Sequence, residues 1–411
     1  MKKFFFSLIL IISCTYLFSE GVSFSGDIVT KWGVFTPWTD DKTANDFSLG
    51  NTNFTGKVDT WYGNSSAFAQ GSINYDALTN QINFSLSELW IDYSESNWGL
   101  RIGRQKVAWG KADGVDITNV ICPSDMSSFS AMISDDSKLA VDAIRFSFTG
   151  NQFTADTYWI PFFTPMKLQS NQLSVLSSLE KPETSIWNGE YGLKLSGYFS
   201  ALDFSLYGFY GWDDTPFIDY KINISNPTVV NVSGNYKNMT MVGIDTAIPL
   251  GPTVIRSEAA FFPKKHFQKT AQKIIQENMT GKAETTQKLN QLNALIGLDW
   301  MPSGWTITAQ YFCDYVFGNL ENTERQKAYT HGTTLSLSKS FVNETLEVSI
   351  SGLMNFNDFD SLINPAITYS ISDQISIAGG AYILLPGPEN DGTYGAYKDL
   401  STIYINAKYS F

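Results

Sequence analysis

Apolar and polar residues alternate along most of the chain. In "LSTIYINAKYSF", at the end of the sequence, Ile403, Ile405 and Tyr409 share one face of an extended strand, and mostly polar residues lie between them. The stretches "EYGLKLSGYF", "LNALIGLDW" and "TLEVSISGLMNF" repeat this pattern. Each has about the ten residues that a tilted strand needs to cross a membrane. The pattern therefore predicts strands with one face toward lipid and the other toward water.

The alternation predicts about eighteen such strands, with sixteen as the open alternative. They fall near 23–35, 47–62, 66–75, 84–94, 98–109, 138–149, 152–163, 188–200, 203–212, 237–248, 252–262, 289–301, 304–317, 328–341, 344–357, 361–372, 375–386 and 399–411. Short links such as "GNSS", "SESN" and "TGN" alternate with long ones. Outer-membrane barrels combine short periplasmic turns, long extracellular loops and an even strand number. We therefore predict an all-β fold, a transmembrane antiparallel up-and-down β-barrel.

The N-terminus predicts export. Lys2 and Lys3 precede a short apolar run and then small polar residues, which is typical of a secretory signal peptide over residues 1–20. Residues 21–411 would then form a single barrel domain. Cys14 follows "LIIS", which loosely resembles a lipoprotein box, so lipidation of Cys14 is the alternative to cleavage near residue 20. No later stretch approaches the roughly 18 apolar residues of a transmembrane helix.

Composition agrees with a wall between lipid and water. Charged residues make up 17% of the chain, below the roughly 25% of a typical soluble domain, and aromatic residues make up 15%. The net charge of −12 leaves no basic footprint for nucleic acid. We therefore expect outer-membrane lipid to be a partner and nucleic acid not to be one.

Few residues suggest covalent chemistry. After the leader, Cys122 and Cys313 remain, and their spacing supports neither a disulfide nor a metal or redox site. The two histidines, His266 and His331, have no local nucleophile motif beside them. We therefore predict no enzymatic activity, no cofactor and no metal.

The C-terminal strand ends in Phe411. It resembles the last strand of outer-membrane β-barrel proteins, whose terminal aromatic residue is read by the barrel-assembly machinery. The resemblance implies that this machinery is a partner and that Phe411 is an assembly signal.

The segment 86–129 carries a second resemblance. "ELWIDY" followed by "LRIGRQKVAWGKADGVDITNVICPSDMSSF" is similar to a signature of outer-membrane barrels of unassigned function, related in style to alginate-export porins. The matching residues are Gly103, Arg104, Gln105, Trp109, Gly110, Asp113, Pro123 and Asp125. The match covers about a tenth of the chain. It implies a porin-like barrel in the bacterial outer membrane and implies no substrate. The dense arginine lining of the alginate exporters is not obvious in this sequence.

The long loop at 110–137 is the candidate functional element, because loops of this length inside a compact domain are usually functional. A barrel of sixteen to eighteen strands leaves an aqueous channel that such a loop can narrow. The strand before the loop and its first residues supply bases, and the loop supplies acids. These candidate constriction residues are Arg101, Arg104, Lys106, Lys111, Asp113, Asp116 and Asp125.

An anchoring role is the alternative for the same charges, and the two roles are compatible. Strict alternation puts Arg104 and Lys106 beside apolar residues, where a charge at mid-membrane costs about 2–4 kcal/mol. Either Gly103 marks a bulge that turns the later charges inward, or these charges lie at the membrane interface. The loop acids would then pair with Arg104 and hold the loop down.

Charges on other strands predict the lining of the lumen. The candidates are Glu88, Asp92, Arg145, Asp156, Glu190, Lys194, Asp245, Arg256, Glu258, Asp299, Asp314 and Glu347. Acids outnumber bases in this set, which favours a mild preference for cations.

The sequence thus predicts an outer-membrane porin for diffusion of small hydrophilic solutes, which are its expected partners. The alternative is a surface receptor or adhesin, since long polar outside loops also suit binding. Within one of these loops, the segment "KKHFQKTAQKIIQENMTGKAETTQKLN" is polar enough to favour a solvated loop over a short surface helix.

Overall fold

The computed structural model describes residues 21–38, 44–132, 137–169, 174, 176–222, 230–279, 284–389 and 392–411. The predicted signal peptide and Cys14 lie outside these residues. Eighteen strands form one sheet. They are β1 (Gly21–Phe35), β2 (Phe47–Tyr62), β3 (Ser65–Asp76), β4 (Gln81–Ser94), β5 (Trp98–Gln105), β6 (Val141–Thr149), β7 (Phe153–Ile160), β8 (Glu190–Tyr198), β9 (Asp203–Trp212), β10 (Asn238–Leu250), β11 (Thr253–Gln268), β12 (Thr286–Trp300), β13 (Trp305–Phe317), β14 (Tyr329–Phe341), β15 (Leu346–Asn355), β16 (Asp360–Ser370), β17 (Ile375–Leu385) and β18 (Thr402–Ser410).

The sheet closes on itself. Every strand pairs antiparallel with the next along the chain, and β1 pairs with β18. At this seam the backbone N–H of Gly26 donates to the carbonyl of Phe411, and the N–H of Phe411 donates to the carbonyl of Gly26, both at 3.0 Å. The predicted up-and-down barrel is confirmed, with eighteen strands and not sixteen.

The outward face carries the apolar set. On β10 Val242 and Ile244 are exposed, whereas Met241 and Asp245, which alternate with them, are buried. The same alternation exposes Ile403 and Ile405 on β18 and buries Tyr404. A closed sheet has no unpaired edge, so this apolar belt can face lipid with all strand hydrogen bonds satisfied.

One long connection differs from its prediction. β11 extends to Gln268, and an α-helix, α2, follows at Ala271–Met279, where a solvated loop was favoured. Ile274 of α2 is 1% exposed, and Asn278 Nδ2 donates to the carbonyl of Tyr220 in a neighbouring loop strand at 2.7 Å. These tertiary contacts stabilise a helix that its polar composition did not favour.

The remaining described elements belong to the loops. They are α1 (Phe129–Met132), two 3₁₀ turns at Ile186–Asn188 and Gly395–Leu400, and three short strands at Ser178–Glu180, Phe217–Ile222 and Val230–Asn235. In the described part of the chain, none of the helices combines the length and apolar character needed to cross a membrane.

Candidate functional site: the segment inserted in the barrel

The chain between β5 and β6 contacts the inward faces of distant strands. We call residues 106–132 the inserted segment. Its contacts include Tyr207 on β9, Glu258 on β11 and Gln310 on β13, which are 97 to 197 residues away in sequence. The contacted side chains alternate with outward-facing residues of these strands, such as the exposed Leu206 on β9 and Tyr311 on β13. The inserted segment therefore lies inside the barrel, against the wall formed by β6 to β13.

Apolar side chains of the inserted segment pack against this wall. Trp109 is 4% exposed, and its ring centroid lies 5.0 Å from that of Tyr207 and 6.0 Å from that of Tyr158. Ile117 and Ile121 are buried in the same cluster. The wall contributes further members to it, which are Val141, Ala143, Ile160, Phe209, Met239, Met241, Ala260, Phe262 and Leu295. Burying apolar side chains on both partners stabilises the inserted position.

Gly243 provides space for the segment. It lies on the inward face of β10, and a Cβ atom there would come within 2.8 Å of Cγ2 of Thr118. A side chain at this position would therefore displace Thr118. Glycine in a strand often marks such a close approach of another part of the backbone.

Glu258 is the principal polar anchor. Its Oε2 accepts hydrogen bonds from the backbone N–H groups of Lys111 at 2.8 Å and Ala112 at 3.1 Å. Its Oε1 accepts from the N–H of Thr118 at 2.7 Å and from the Thr118 hydroxyl at 2.6 Å. The residue is 4% exposed. A buried carboxylate is stable there because four donors replace its water shell.

Arg256 joins the segment to the same wall. Its guanidinium donates to the carbonyl of Lys111 at 2.6 Å and pairs with Asp113 at 2.9 Å. It also pairs with Asp299 of β12. The positive charge of Arg256 is thus shared between one acid of the segment and one of the wall.

The tip of the segment reaches β13 through Gln310. The N–H of Asp113 donates to Oε1 of Gln310 at 3.0 Å, and Nε2 of Gln310 donates to the carbonyl of Asp113 at 2.8 Å. Nε2 also donates to the hydroxyl of Thr334 on β14 at 2.7 Å. Asp113 keeps 59% of its side chain exposed, so its carboxylate borders the water that remains in the lumen.

A third contact lies between these anchors. The N–H of Gly110 donates to the Tyr207 hydroxyl at 3.1 Å, and that hydroxyl donates to Asp245. The ammonium of Lys111 lies 3.6 Å from Oδ1 of the same carboxylate. Asp245 is 1% exposed, and its charge is balanced by Lys111.

The other predicted loop acids make pairs nearer the loops. Asp116 pairs with Lys138 at 2.5 Å, and Asp125 pairs with Lys167 of the next loop at 2.9 Å. Burial opposes ionisation of Asp125, but its bonds to Ser127 and Lys167 outweigh burial and lower its pKa. These contacts tie the segment to its neighbours along the chain.

The charged residues before the segment form their own ladder on the inward face. Arg101 pairs with Asp92 at 2.9 Å and stacks over the Trp90 ring at 3.6 Å. Directly opposite Arg101 on β6 lies Arg145, which is 3.5 Å from Asp156. Each arginine is thus balanced by an acid on its own side.

Arg104 is not part of the constriction cluster. It pairs with Asp142 at 3.1 Å and lies opposite the outward-facing Leu89, while Gln105 beside it is buried inward. Gly103 has a positive φ of 132°, yet the alternation continues past it. The expectation that the loop acids pair with Arg104 is therefore wrong, since Asp113 pairs with Arg256 instead.

The other predicted lumen charges also lie on inward faces. The N–H of Lys106 donates to Glu88 at 2.8 Å, and the N–H of Trp212 donates to Glu190 at 3.0 Å. Lys194 lies 5.6 Å from the centroid of the Tyr207 ring. Farther round the wall, Asp314 accepts two hydrogen bonds from Arg325 at 2.9 and 3.0 Å, and Glu347 is exposed.

Several residues of the site were not predicted from the sequence. Thr118, Tyr207 and Gln310 carry anchoring contacts, and Gly243 makes room for them. Inward-facing polar residues on apolar strands were a signal for Gln310, but their partner lies too far along the chain to be inferred.

The cysteines and histidines do not contribute to the polar anchors of the inserted segment. Cys122 is 2% exposed, and its Sγ accepts from the N–H of Val107 at 3.1 Å; Cys313 is also a free thiol. His266 shares a hydrogen bond with Thr286 at 2.6 Å, and His331 with Tyr311 at 3.0 Å. Among the described residues, no group of side chains fits a metal ion.

The closed sheet, its apolar belt and its polar interior define a transmembrane β-barrel of the bacterial outer-membrane class. Residues 15–411 match the model of a family described as protein of unknown function (DUF1302), so the chain belongs to this family. The expected membership of a barrel family of unassigned function is confirmed, whereas the likeness to alginate-export porins stays a prediction. No curated protein matches the chain.

Solved structures share the fold. OccAB3 of Acinetobacter baumannii is 9% identical, with 95% of this chain and 99% of that chain covered and a TM-score of 0.53. OccAB4 of the same species is 9% identical, with 96% and 98% covered and a TM-score of 0.53. OccK8 (OprE) of Pseudomonas aeruginosa is 11% identical, with 96% and 98% covered and a TM-score of 0.53. At these identities the likeness concerns the fold alone.

Proposed function

We propose that the barrel is an open channel for passive diffusion of small hydrophilic solutes, narrowed by the inserted segment. The observation that carries this proposal is the attachment of the segment to the inner wall by four hydrogen bonds to Glu258. A loop fixed in this way reduces the open cross-section while the rest of the lumen stays water-filled.

The charges around the tip of the segment would set ion preference. Lys111 and Arg256 are the bases there, and Asp113, Asp245, Glu258 and Asp299 are the acids. Two bases against four acids leave an acidic excess, so potassium should pass more easily than chloride. Asp113 contributes most to this preference, because its carboxylate is the most exposed of the salt-bridged acids in the cluster.

Deletion of residues 114–130 in planar-bilayer recordings tests the proposal. The expected result is a severalfold rise in single-channel conductance, because the narrowing element is gone. Heat-modifiable migration would establish that the deleted form still assembles. An assembled deletion variant with unchanged conductance would contradict the role of the segment.

A matched pair of point variants sharpens the test. Glu258→Gln replaces one acceptor oxygen by an amide donor, so it should loosen the segment and produce frequent changes of conductance level. Glu347→Gln removes an inward-facing acid with no contact to the segment and should leave the channel steady. A barrel that assembles but never conducts would favour a surface receptor or adhesin instead.

A further inference from the structure

Charge is unevenly distributed around the lumen. The wall from β4 to β12 carries the ladder of Arg101 and Arg145 and the anchors around Arg256 and Glu258. The opposite wall, from β13 to β16, carries hydroxyl and amide side chains at its inward mid-strand positions. The inserted segment covers the first wall and touches the second at Gln310 on β13, so most of the second wall faces the remaining water.

The neutral wall is a continuous row across paired strands. Thr308 on β13 lies opposite Ser336 on β14, Ser336 opposite Ser351 on β15, and Ser351 opposite Asn364 on β16. Ser336 and Ser351 are exposed, although they point inward from strands whose Leu335 and Ile350 face outward. Their hydroxyls therefore meet the water of the lumen.

Ionised groups border this row at both ends. At one end Asp299 accepts a hydrogen bond from Thr308 at 2.9 Å and pairs with Arg256. At the other end Asn364 lies 3.4 Å from the Tyr404 hydroxyl.

Beyond Tyr404, the ammonium of Lys31 donates to the Tyr382 hydroxyl at 2.7 Å and lies 4.4 Å over the Tyr404 ring. The ring face of Tyr404 attracts the cation and partly balances its charge. Between these borders, the four residues of the row carry no ionised side chain.

We propose that the open lane beside this row selects uncharged, polyhydroxylated solutes of about monosaccharide size, an inference that rests on the proposed channel function. A hydroxyl both donates and accepts hydrogen bonds, so the row can exchange partners with each hydroxyl of a passing solute. It supplies no counter-charge to an ion that has lost part of its hydration in a narrow lumen. A neutral solute can therefore replace its lost water contacts by hydrogen bonds to this wall, whereas a charged analogue of equal size finds no counter-charge there.

Liposome swelling with the full chain tests the inference, using glucose, gluconate and glucosamine as neutral, anionic and cationic probes of similar size. Glucose should enter about threefold faster than gluconate, and faster than glucosamine by a smaller factor because of the acidic tip. The double variant Ser336→Ala with Ser351→Ala keeps the width of the lane and should slow glucose about twofold, with ion conductance unchanged.

The matched control is Thr246→Val with Ser257→Ala. These two hydroxyls bond to each other at 2.7 Å, and they alternate with the inward-facing Asp245 and Glu258, so they lie on the outward face and do not meet the lumen water. Removing both partners of such a bond together is nearly neutral, and glucose entry should stay at the wild-type rate.

If the double alanine variant assembles poorly, a second variant tests the same inference. Ser351→Asp adds one negative charge to the row and should slow gluconate and speed glucosamine, because solutes pass beside it. Equal entry of all three probes through wild type, or no response to either row variant, would overturn the inference while the channel stands. Absence of both swelling and conductance in an assembled barrel would instead refute the channel function.

Discussion

Thr118 donates two hydrogen bonds to one carboxylate oxygen of Glu258, although the two residues are 140 positions apart in sequence. The backbone N–H lies 2.7 Å from Oε1, and the hydroxyl lies 2.6 Å from it. Bonds to a charged acceptor are among the stronger ones in proteins. This pair therefore links the middle of the inserted segment to β11.

Thr118→Val should loosen the segment. The substitution keeps the side-chain shape and removes one bond to a charged group, which contributes roughly 1.5–3 kcal/mol. If Cys122 reacts only when the segment opens, its labelling by a thiol reagent should speed up about 10- to 100-fold. Thr118→Ser, which keeps the hydroxyl, should label close to the wild-type rate.

Cys122 suits this measurement because the closed segment protects it in two ways. The residue is 2% exposed, and burial raises the pKa of its thiol to about 11. At pH 8 only about one closed molecule in a thousand would carry the reactive thiolate. The experiment uses a Cys313→Ser background. Equal labelling rates for the Val and Ser variants would show that the Thr118 hydroxyl does not hold the segment.

The strands were predictable because their information is local. Residues of β18 such as Ile403 and Ile405 reveal their outward face by alternation with polar neighbours, and the register follows from the next strand. The helix α2 was missed because Ile274 is buried by contacts that its own polar sequence does not encode.

The site was predictable only in part. The length and charges of the loop marked it as functional, but nothing near Thr118 indicates that its acceptor is Glu258. Alternation alone would have put Arg104 outward, and the proposed bulge at Gly103 does not reverse it. Long-range pairings of this kind depend on which wall the loop reaches, and contacts such as that of Trp109 with Tyr207 cannot be inferred from either local sequence.

Gly110 and Gly114 form a matched pair for a test of the anchor. Both have positive φ, of 83° and 75°, so an alanine at either position carries a conformational cost of about 1 kcal/mol. A Cβ at Gly110 would also lie 2.4 Å from Oε1 of Glu258, whereas a Cβ at Gly114 meets no atom within 4 Å. Gly110→Ala should therefore disturb the anchor and cause conductance fluctuations, and Gly114→Ala should not. Similar bilayer recordings from both variants would argue against Glu258 as the principal anchor.

Arg256 and Arg104 should differ in their effect on ion selectivity. Arg256→Gln leaves Asp113 and Asp299 without their shared cation, so the potassium preference should rise by roughly twofold. Arg104→Gln changes a pair on the outward face and should leave selectivity unchanged. Reversal potentials in a potassium chloride gradient measure both.

Asp113→Asn should shift ion selectivity in the opposite direction in the same recordings. It removes an exposed acid beside the open lumen, so the reversal potential should shift toward anions. Pairing it with Asp116→Asn should enlarge the shift. A selectivity change in Arg104→Gln equal to that in Arg256→Gln would contradict the placement of the constriction charges.

Phe411 should matter for assembly more than its neighbour Ser410. Its backbone closes the seam with Gly26 through two hydrogen bonds of 3.0 Å, and its ring stacks on Phe54 with centroids 6.1 Å apart. Deleting Phe411 should therefore lower the amount of heat-modifiable barrel in outer membranes more than Ser410→Ala does, and Phe411→Tyr should keep that amount near the wild-type level.

Refolding of purified protein in detergent separates the two causes of such a defect. A defect confined to cells would indicate recognition of the terminal aromatic by the assembly machinery, whereas an equal defect in detergent would indicate loss of the seam contacts. Equal effects of the Phe411 deletion and of Ser410→Ala in both settings would contradict the assembly role of Phe411.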